Sequence, residues 1–207
     1  MRSIVRTCLW SGVVIGWLAM GGCGSSKSVR YYVLSTTAQR SPAADAASHG
    51  AGRTIRVGPV RLPAYLDRQQ MVSRGAGNTV TIAQFDRWAE PLKDGVPRVL
   101  VENLTALLPQ DTVIGYQSRG ANAADYTVAV DIRRLDGAPG GRAELVARWM
   151  IKAGVTRPAL RRTERPLAIT VADDTYEALA RAESELLTRL SVAIASDIKS
   201  LVTQTKD

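Results

Sequence analysis

The sequence predicts an α+β fold: a single domain with a mixed, largely antiparallel sheet and two main helices packed against it, set behind an N-terminal leader. Three observations carry the prediction. Tyr126, Val128, Val130 and Ile132 alternate with Thr127, Ala129, Asp131 and Arg133, the period of a half-buried strand; after a turn at Gly137–Gly141, Leu145, Ala147, Trp149 and Ile151 repeat it as an antiparallel partner. Two apolar stripes fall at helical spacing, Val96, Val99, Leu100, Leu104, Leu107 and Leu108 in one and Leu179, Leu186, Leu190, Ile194, Ile198 and Leu201 in the other. Strands, a helix, more strands and a long final helix succeed one another without an internal repeat.

The chain divides into a leader at 1–22, a tether at 23–29 and a folded domain at 30–205. Arg2 and Arg6 precede an uncharged, mostly apolar run at 8–19 (CLWSGVVIGWLA), the build of a cleaved secretory signal peptide. A membrane-spanning helix needs ~20 apolar residues, and only about a dozen precede the Gly/Ser-rich stretch, so a single-pass anchor is the weaker alternative. The leader ends in Met20-Gly21-Gly22-Cys23, which resembles the lipobox of bacterial lipoproteins, with Met20 standing where Leu is commonest. The small residues let an extended backbone enter a peptidase cleft, and the thiol accepts a diacylglyceryl group. Other roles for Cys23 lack what they need. A disulfide needs a partner, and Cys8 leaves with the leader. A metal needs several ligands, and the mature chain has one His and no second Cys. An activated thiolate needs a base or a cationic pocket. Cys23 is therefore read as a lipidation site carrying diacylglycerol and N-acyl (palmitate-type) chains, and two or three buried chains at ~0.8 kcal/mol per methylene anchor it permanently. The lipoprotein resemblance further implies outer-membrane delivery, because Gly24 replaces the Asp that marks inner-membrane retention. The nearby GGCGSSKS at 21–28 imitates a phosphate-binding loop but has Ser26 for its second Gly and lacks the strand–helix setting.

In the domain, Tyr31–Leu34 reads as a strand, 36–53 as a loop without period that contains the sole histidine, His49, and Ile55, Val57 and Val60 as a second strand ending at Leu62-Pro63 before a turn at 65–67. Met71–Ser73 and Thr79–Ala83 flank a hairpin turn through Gly75 and Gly77, and Asp94 and Pro97 open the first helix, which Pro109 ends. Thr112–Tyr116 reads as a third apolar run, and Leu160–Thr170 as a further strand that Pro166 either restricts to a sheet edge or interrupts. Asp174 and Glu177 imitate a capping box at the head of the last helix, whose mixed charge favours packing on the sheet over lying on a membrane.

A net charge of +8 attracts anionic partners: lipid headgroups, an acidic protein or nucleic acid. Its arginines (Arg133, Arg134, Arg148, Arg161, Arg162, Arg165) are scattered and lack the aromatic interleaving of a nucleic-acid platform, so no nucleic-acid partner is expected. Nor does an enzyme emerge. GYQSRG at 115–120 misses nucleophile-elbow spacing, His49 is the only imidazole, and Asp173-Asp174 reads as helix-capping acids. No catalytic, metal or cofactor site is assigned. The stretch that stands out is QFDRWAEPL at 84–92. As structure it is a connector in which Trp88 covers the core's end, Pro91 stiffens the turn and Arg87 pairs with Glu90. As function, Arg87, Trp88, Glu90 and Pro91 are candidate partner contacts, since Trp and Arg are enriched at hot spots.

Several landmarks together resemble the ABC-type transport auxiliary lipoprotein family: Tyr32-Val33-Leu34 soon after the cysteine, IRVGPV at 55–60 leading to LPAYLDR at 62–68, Gln70-Met71-Val72, RWAEPL at 87–92, and Arg98-Val99-Leu100 with Asn103-Leu104. The resemblance implies a non-enzymatic, periplasm-facing outer-membrane lipoprotein that docks with an MCE-domain protein (tunnel-forming or substrate-binding) in lipid traffic between membranes, as a homo-oligomeric ring that supports envelope integrity. The alternative is a periplasmic lipid carrier that itself encloses an acyl chain.

Overall fold

The computed structural model describes residues 27–38, 52–75, 77–154 and 159–204. The leader, Cys23 and His49 lie outside the described residues.

Among the described residues eight strands form one mixed sheet: β1 (Arg30–Tyr32), β2 (Thr54–Arg61), β3 (Gln70–Arg74), β4 (Val80–Trp88), β5 (Thr112–Gly115), β6 (Tyr126–Gly137), β7 (Arg142–Ala153) and β8 (Ala159–Thr170). Two helices, α1 (Leu92–Leu107) and α2 (Tyr176–Gln204), pack on it as the apolar stripes predict. At twelve residues, or about 40 Å, β6 is long enough to carry two neighbours along one edge. Its first half pairs in parallel with β2, from Ile55↔Tyr126 to Arg61↔Asp131, and its last residue, Gly137, meets Ser73 of β3. The sheet therefore forks. One arm continues from β2 to β5, and the other from β3 through antiparallel β4 to parallel β1. Along the opposite edge of β6 run antiparallel β7 and then β8.

The core lies between sheet and helices. Val96, Val99, Leu100 and Leu104 of α1 and Leu179, Leu186, Leu187, Leu190 and Ile194 of α2 are fully buried against Ile55, Val128, Ile132, Leu145, Trp149 and Ile151. Polar staples fix α2 in place. The Asp197 carboxylate accepts from Trp149 Nε1 at 2.9 Å and from Thr163 Oγ1 at 3.0 Å, tying the helix to β7 and β8.

Three local expectations are corrected. The first helix opens at Leu92, not at Asp94, because the Pro91 carbonyl accepts from the Asp94 and Gly95 N–H groups at 2.9 and 3.0 Å; Pro97 sits inside the helix. The segment from Gln84 to Trp88 is no connector but the end of β4, held in extended form by β1 alongside. The turn expected at 65–67 is present, as a single 3-10 turn at Ala64–Leu66. The cap of α2 is Thr175 rather than Asp174: its Oγ1 accepts from the Ala178 N–H at 3.1 Å, and Asp173 accepts from the Thr175 N–H at 2.9 Å. Of the two outcomes expected of Pro166 the edge position is found, since among the described residues β8 pairs with β7 alone.

Candidate functional site

The four singled-out residues sit where β4 hands the chain to α1, and β1 lies beside them with Tyr31 opposite Arg87 and Tyr32 opposite Trp88. Alternation along β4 sends these neighbours to different fates. Trp88 is only 3% exposed and belongs to the core, as a cover for its end; its N–H donates to the Gln69 carbonyl at 2.7 Å. Arg87 is half-buried, and its Nε is enclosed without a hydrogen-bond partner among the described residues. Glu90 is half-buried and Pro91 exposed.

The expected Arg87–Glu90 pair does not form. Glu90 instead accepts from Arg98 of α1, whose Nε lies 3.2 Å away and whose Nη2 bonds the same carboxylate. Arg98 also donates to Glu102 Oε1 at 3.0 Å and to the Leu34 carbonyl at 2.9 Å. One guanidinium thus joins the β4–α1 junction, the body of α1 and the chain leaving β1. Gly95 makes room for this arrangement, because a Cβ there would meet Glu90 Oε1 at 3.0 Å. The hydrogen bond to Glu90 and a second to Glu102 hold the Arg98 pKa above its ordinary value. Sequence reading missed Arg98; the i,i+4 spacing to Glu102 was visible, whereas the bonds to Glu90 and Leu34 depend on the fold.

One residue before Arg87 on β4, Asp86 is buried and accepts from the OH of Tyr32 on β1 at 2.8 Å while pairing with Arg30 at 2.9 Å. Burial, with the Asp86 hydrogen bond second, pushes the Tyr32 phenol up to about 12. After β1 the chain bends onto α2, where the Ser35 N–H donates to Ser184 Oγ at 3.2 Å. Between this segment, the end of β8 and the first turns of α2 lies an open groove of about 600 Å³. Its walls are apolar and small: Tyr31 and Val33, Ile169, and Ala178 and Ala182 one turn apart on α2. Glu177, Arg181 and Glu185 stand along the helix side. The alanine spacing was legible in the sequence; the opposing strand was not.

Beneath the head of α2 lies a buried charge cluster. Asp136, fully buried, takes both Nε (2.9 Å) and Nη2 (2.8 Å) of Arg74, Nε of Arg134 (2.8 Å) and the Tyr65 hydroxyl. Burial alone would raise its carboxyl, but the hydrogen bonds from Arg74, Tyr65 and Arg134 outweigh that and hold it below the usual carboxylate range. Glu183 on α2 is 2% exposed, and burial, with the Asp136 charge second, pushes its carboxyl well up. The cluster braces β3, β6 and the 3-10 turn rather than opening to solvent. Other sequence candidates are structural: the Ser118 N–H closes a turn on the Gly115 carbonyl at 3.2 Å, and Asp173 caps as described. Among the described residues no group of three or more His, Cys, Asp or Glu could hold a metal ion, and no described helix is long and apolar enough to cross a membrane.

Against known proteins, residues 32–195 match the family model described as ABC-type transport auxiliary lipoprotein component. Two curated relatives, each named intermembrane transport lipoprotein PqiC, come from Escherichia coli (strain K12) and Shigella flexneri. Each is 27% identical over 190 residues, 91% of this chain and 97% of the relative. Among solved structures, one of an uncharacterized protein superposes with a TM-score of 0.68 at 22% identity, covering 83% of this chain and 99% of its own. Protein XCC0632 from Xanthomonas campestris gives 0.65 at 15% identity, covering 86% and 98%. These two structures share the fold.

Proposed function

The chain belongs to the ABC-type transport auxiliary lipoprotein family, and on that premise we propose that it serves intermembrane lipid transport as a non-catalytic docking subunit. The observation that carries the reading is the family match, which runs from Tyr32 at the end of β1 to residue 195 of α2 and so takes in β2 to β8, α1 and most of α2. In this reading Cys23 carries the lipid, the outer membrane holds it, and the domain faces the periplasm. Its partner is an MCE-domain protein, met by a ring of copies of this chain, and the assembly supports envelope integrity.

The docking contacts fall to the accessible part of the β4–α1 junction. Pro91 is exposed, Arg87 and Glu90 are half-buried, and Trp88 acts from within by holding them. Crosslinking the lipidated protein in whole envelopes, followed by pull-down, tests the reading. Recovery of an MCE-domain protein that falls at least about tenfold with Arg87→Ala plus Pro91→Ser supports it. Recovery of no transport component, with the protein folded and membrane-bound, overturns it.

A lipid-carrier reading draws on the groove beside α2, which is apolar and large enough for part of an acyl chain. It lies open at the surface rather than enclosed, so a carrier would hold the chain in a trough. Lipid that co-extracts with the wild type and is lost with Ala182→Glu would favour this reading over docking.

A further inference from the structure

Seven large apolar side chains are exposed among the described residues. Five of them, Val29, Tyr31, Val33, Val80 and Ile82, belong to β1 with its flanks and to β4. Scattered exposed apolar residues are ordinary, whereas a concentration at one edge is not.

The topology says where this edge faces. Because β1 and β4 are parallel, with Arg30 opposite Asp86, the chain entering β1 and the start of β4 lie at the same end of the sheet. Lys27 confirms the placement, its Nζ standing 5.8 Å from the centroid of the Phe85 ring. The β3–β4 hairpin turns at this end, closed by the Gly75 N–H on the Thr79 carbonyl at 3.1 Å. Cys23 lies six residues before Val29, so at 3.3–3.6 Å per residue the two are at most about 20 Å apart.

Charge singles out the same end. Residues 24–33 and 69–85 contain neither Asp nor Glu, in a chain that has 19 of them. The cations there are Lys27, Arg30 and Arg74. Arg30 is paired with Asp86 and Arg74 with Asp136, while Lys27 forms no ion pair among the described residues. Apolar side chains beside a cation that forms no ion pair among the described residues, with the nearest acid, Asp86, buried and paired with Arg30, suit the interface of a phospholipid bilayer.

We propose that the β3–β4 hairpin and the chain entering β1 rest on the phospholipid surface, with Val29, Val80 and Ile82 among the headgroups and Lys27 against an anionic lipid phosphate. The contact holds the domain in one orientation instead of letting it swing on its tether. Tyr31 and Val33 continue the apolar strip from this contact to the groove at α2. The inference rests on the reading that Cys23 is lipidated.

The test uses the full-length protein, purified in detergent and reconstituted into vesicles of phosphatidylethanolamine and phosphatidylglycerol, with N-terminal acylation checked by mass. In a Cys8→Ala background, an environment-sensitive fluorophore is placed at Asn78→Cys on the hairpin, and a control at Lys199→Cys near the far end of α2. A quencher confined to the headgroup layer should quench the Asn78 label at least about threefold more than the control. The Val80→Asp, Ile82→Asp pair should remove that difference while leaving thermal unfolding unchanged, since both side chains are exposed. An acylated protein whose Asn78 label stays as water-exposed as the control overturns this inference and leaves the anchor standing. Protein found unacylated overturns the anchor; sedimentation of the unlabelled chain with the vesicles then decides the surface by itself, binding supporting it and failure to bind overturning it. Self-association without vesicles that the Val80→Asp, Ile82→Asp pair abolishes would assign the surface to a second copy of this chain, and would equally overturn the proposal.

Discussion

Asp136 and Glu183 are buried acids in the same part of the fold, yet pH acts on them with opposite sign. The Asp136 carboxyl titrates lower in the folded protein than in the unfolded chain, so its stabilisation is complete above the unfolded value of about 3.9 and is lost as pH falls through the folded value. Glu183 titrates higher when folded, so its contribution is complete below about 4.3 and is lost as pH rises through the raised value. Urea unfolding at pH 4 and pH 8 separates them. Glu183→Gln should match the wild type at pH 4 and exceed it at pH 8, whereas Asp136→Ala should cost about 3–5 kcal/mol at pH 8, the range for breaking a buried ion pair. Arg98→Ala should cost about 1–3 kcal/mol by the same assay, because it frees Glu90 and the Leu34 carbonyl together; Glu102→Ala, which removes only an exposed i,i+4 pair, should cost about 0.3–0.5 kcal/mol. Little of this was legible beforehand. Asp136 lies in β6 beyond the alternation read at 126–133, past a register shift after Ile132, and its partners Arg74 and Tyr65 come from 62 and 71 residues away. Arg87 and Glu90 were paired because they are near in sequence, and strand geometry sent them apart.

Elements were more readable than residues, for a physical reason: an apolar period reports burial, and burial is what shapes a strand or helix. β6, β7 and both helices follow from alternation and from 3.6-residue stripes, and Pro166 marked an edge strand because it cannot donate to a ladder. Ends were less readable, because capping is a choice among adjacent side chains. Asp173, Asp174 and Thr175 could each cap α2, and the geometry selects Thr175. Thr175→Ala should therefore destabilise by about 1 kcal/mol and Asp174→Ala by much less, measured by thermal unfolding. Along the helix, Asp197→Ala should loosen α2 from β7 and β8 by removing the acceptor for Trp149 and Thr163; faster amide exchange confined to the last turns of α2 would report it. The fork of the sheet at β6 had no signal in the sequence, since β2 and β3 share one edge only through long-range register.

At the scale of the whole molecule, the domain combines a solid core, a braced junction at β4–α1 and an apolar edge, its one acid Asp86 buried and paired, at the end from which its tether leaves. None of these arrangements supplies a reaction centre among the described residues, and each suits a protein that holds a position and meets a partner. The fold class and the family were legible because they rest on patterning and on landmarks spread from Tyr32 to Leu104. The apolar edge was not, because Val80 and Ile82 join Val29 only when β1 docks beside β4. The central claim is that a lipid on Cys23 holds this folded domain at the outer membrane. Envelope fractionation after a high-salt wash, comparing the wild type with Cys23→Ser, tests it most directly. The account predicts wild-type protein in the outer-membrane fraction and the variant released by the wash; a variant that remains with the outer membrane as firmly as the wild type would contradict it.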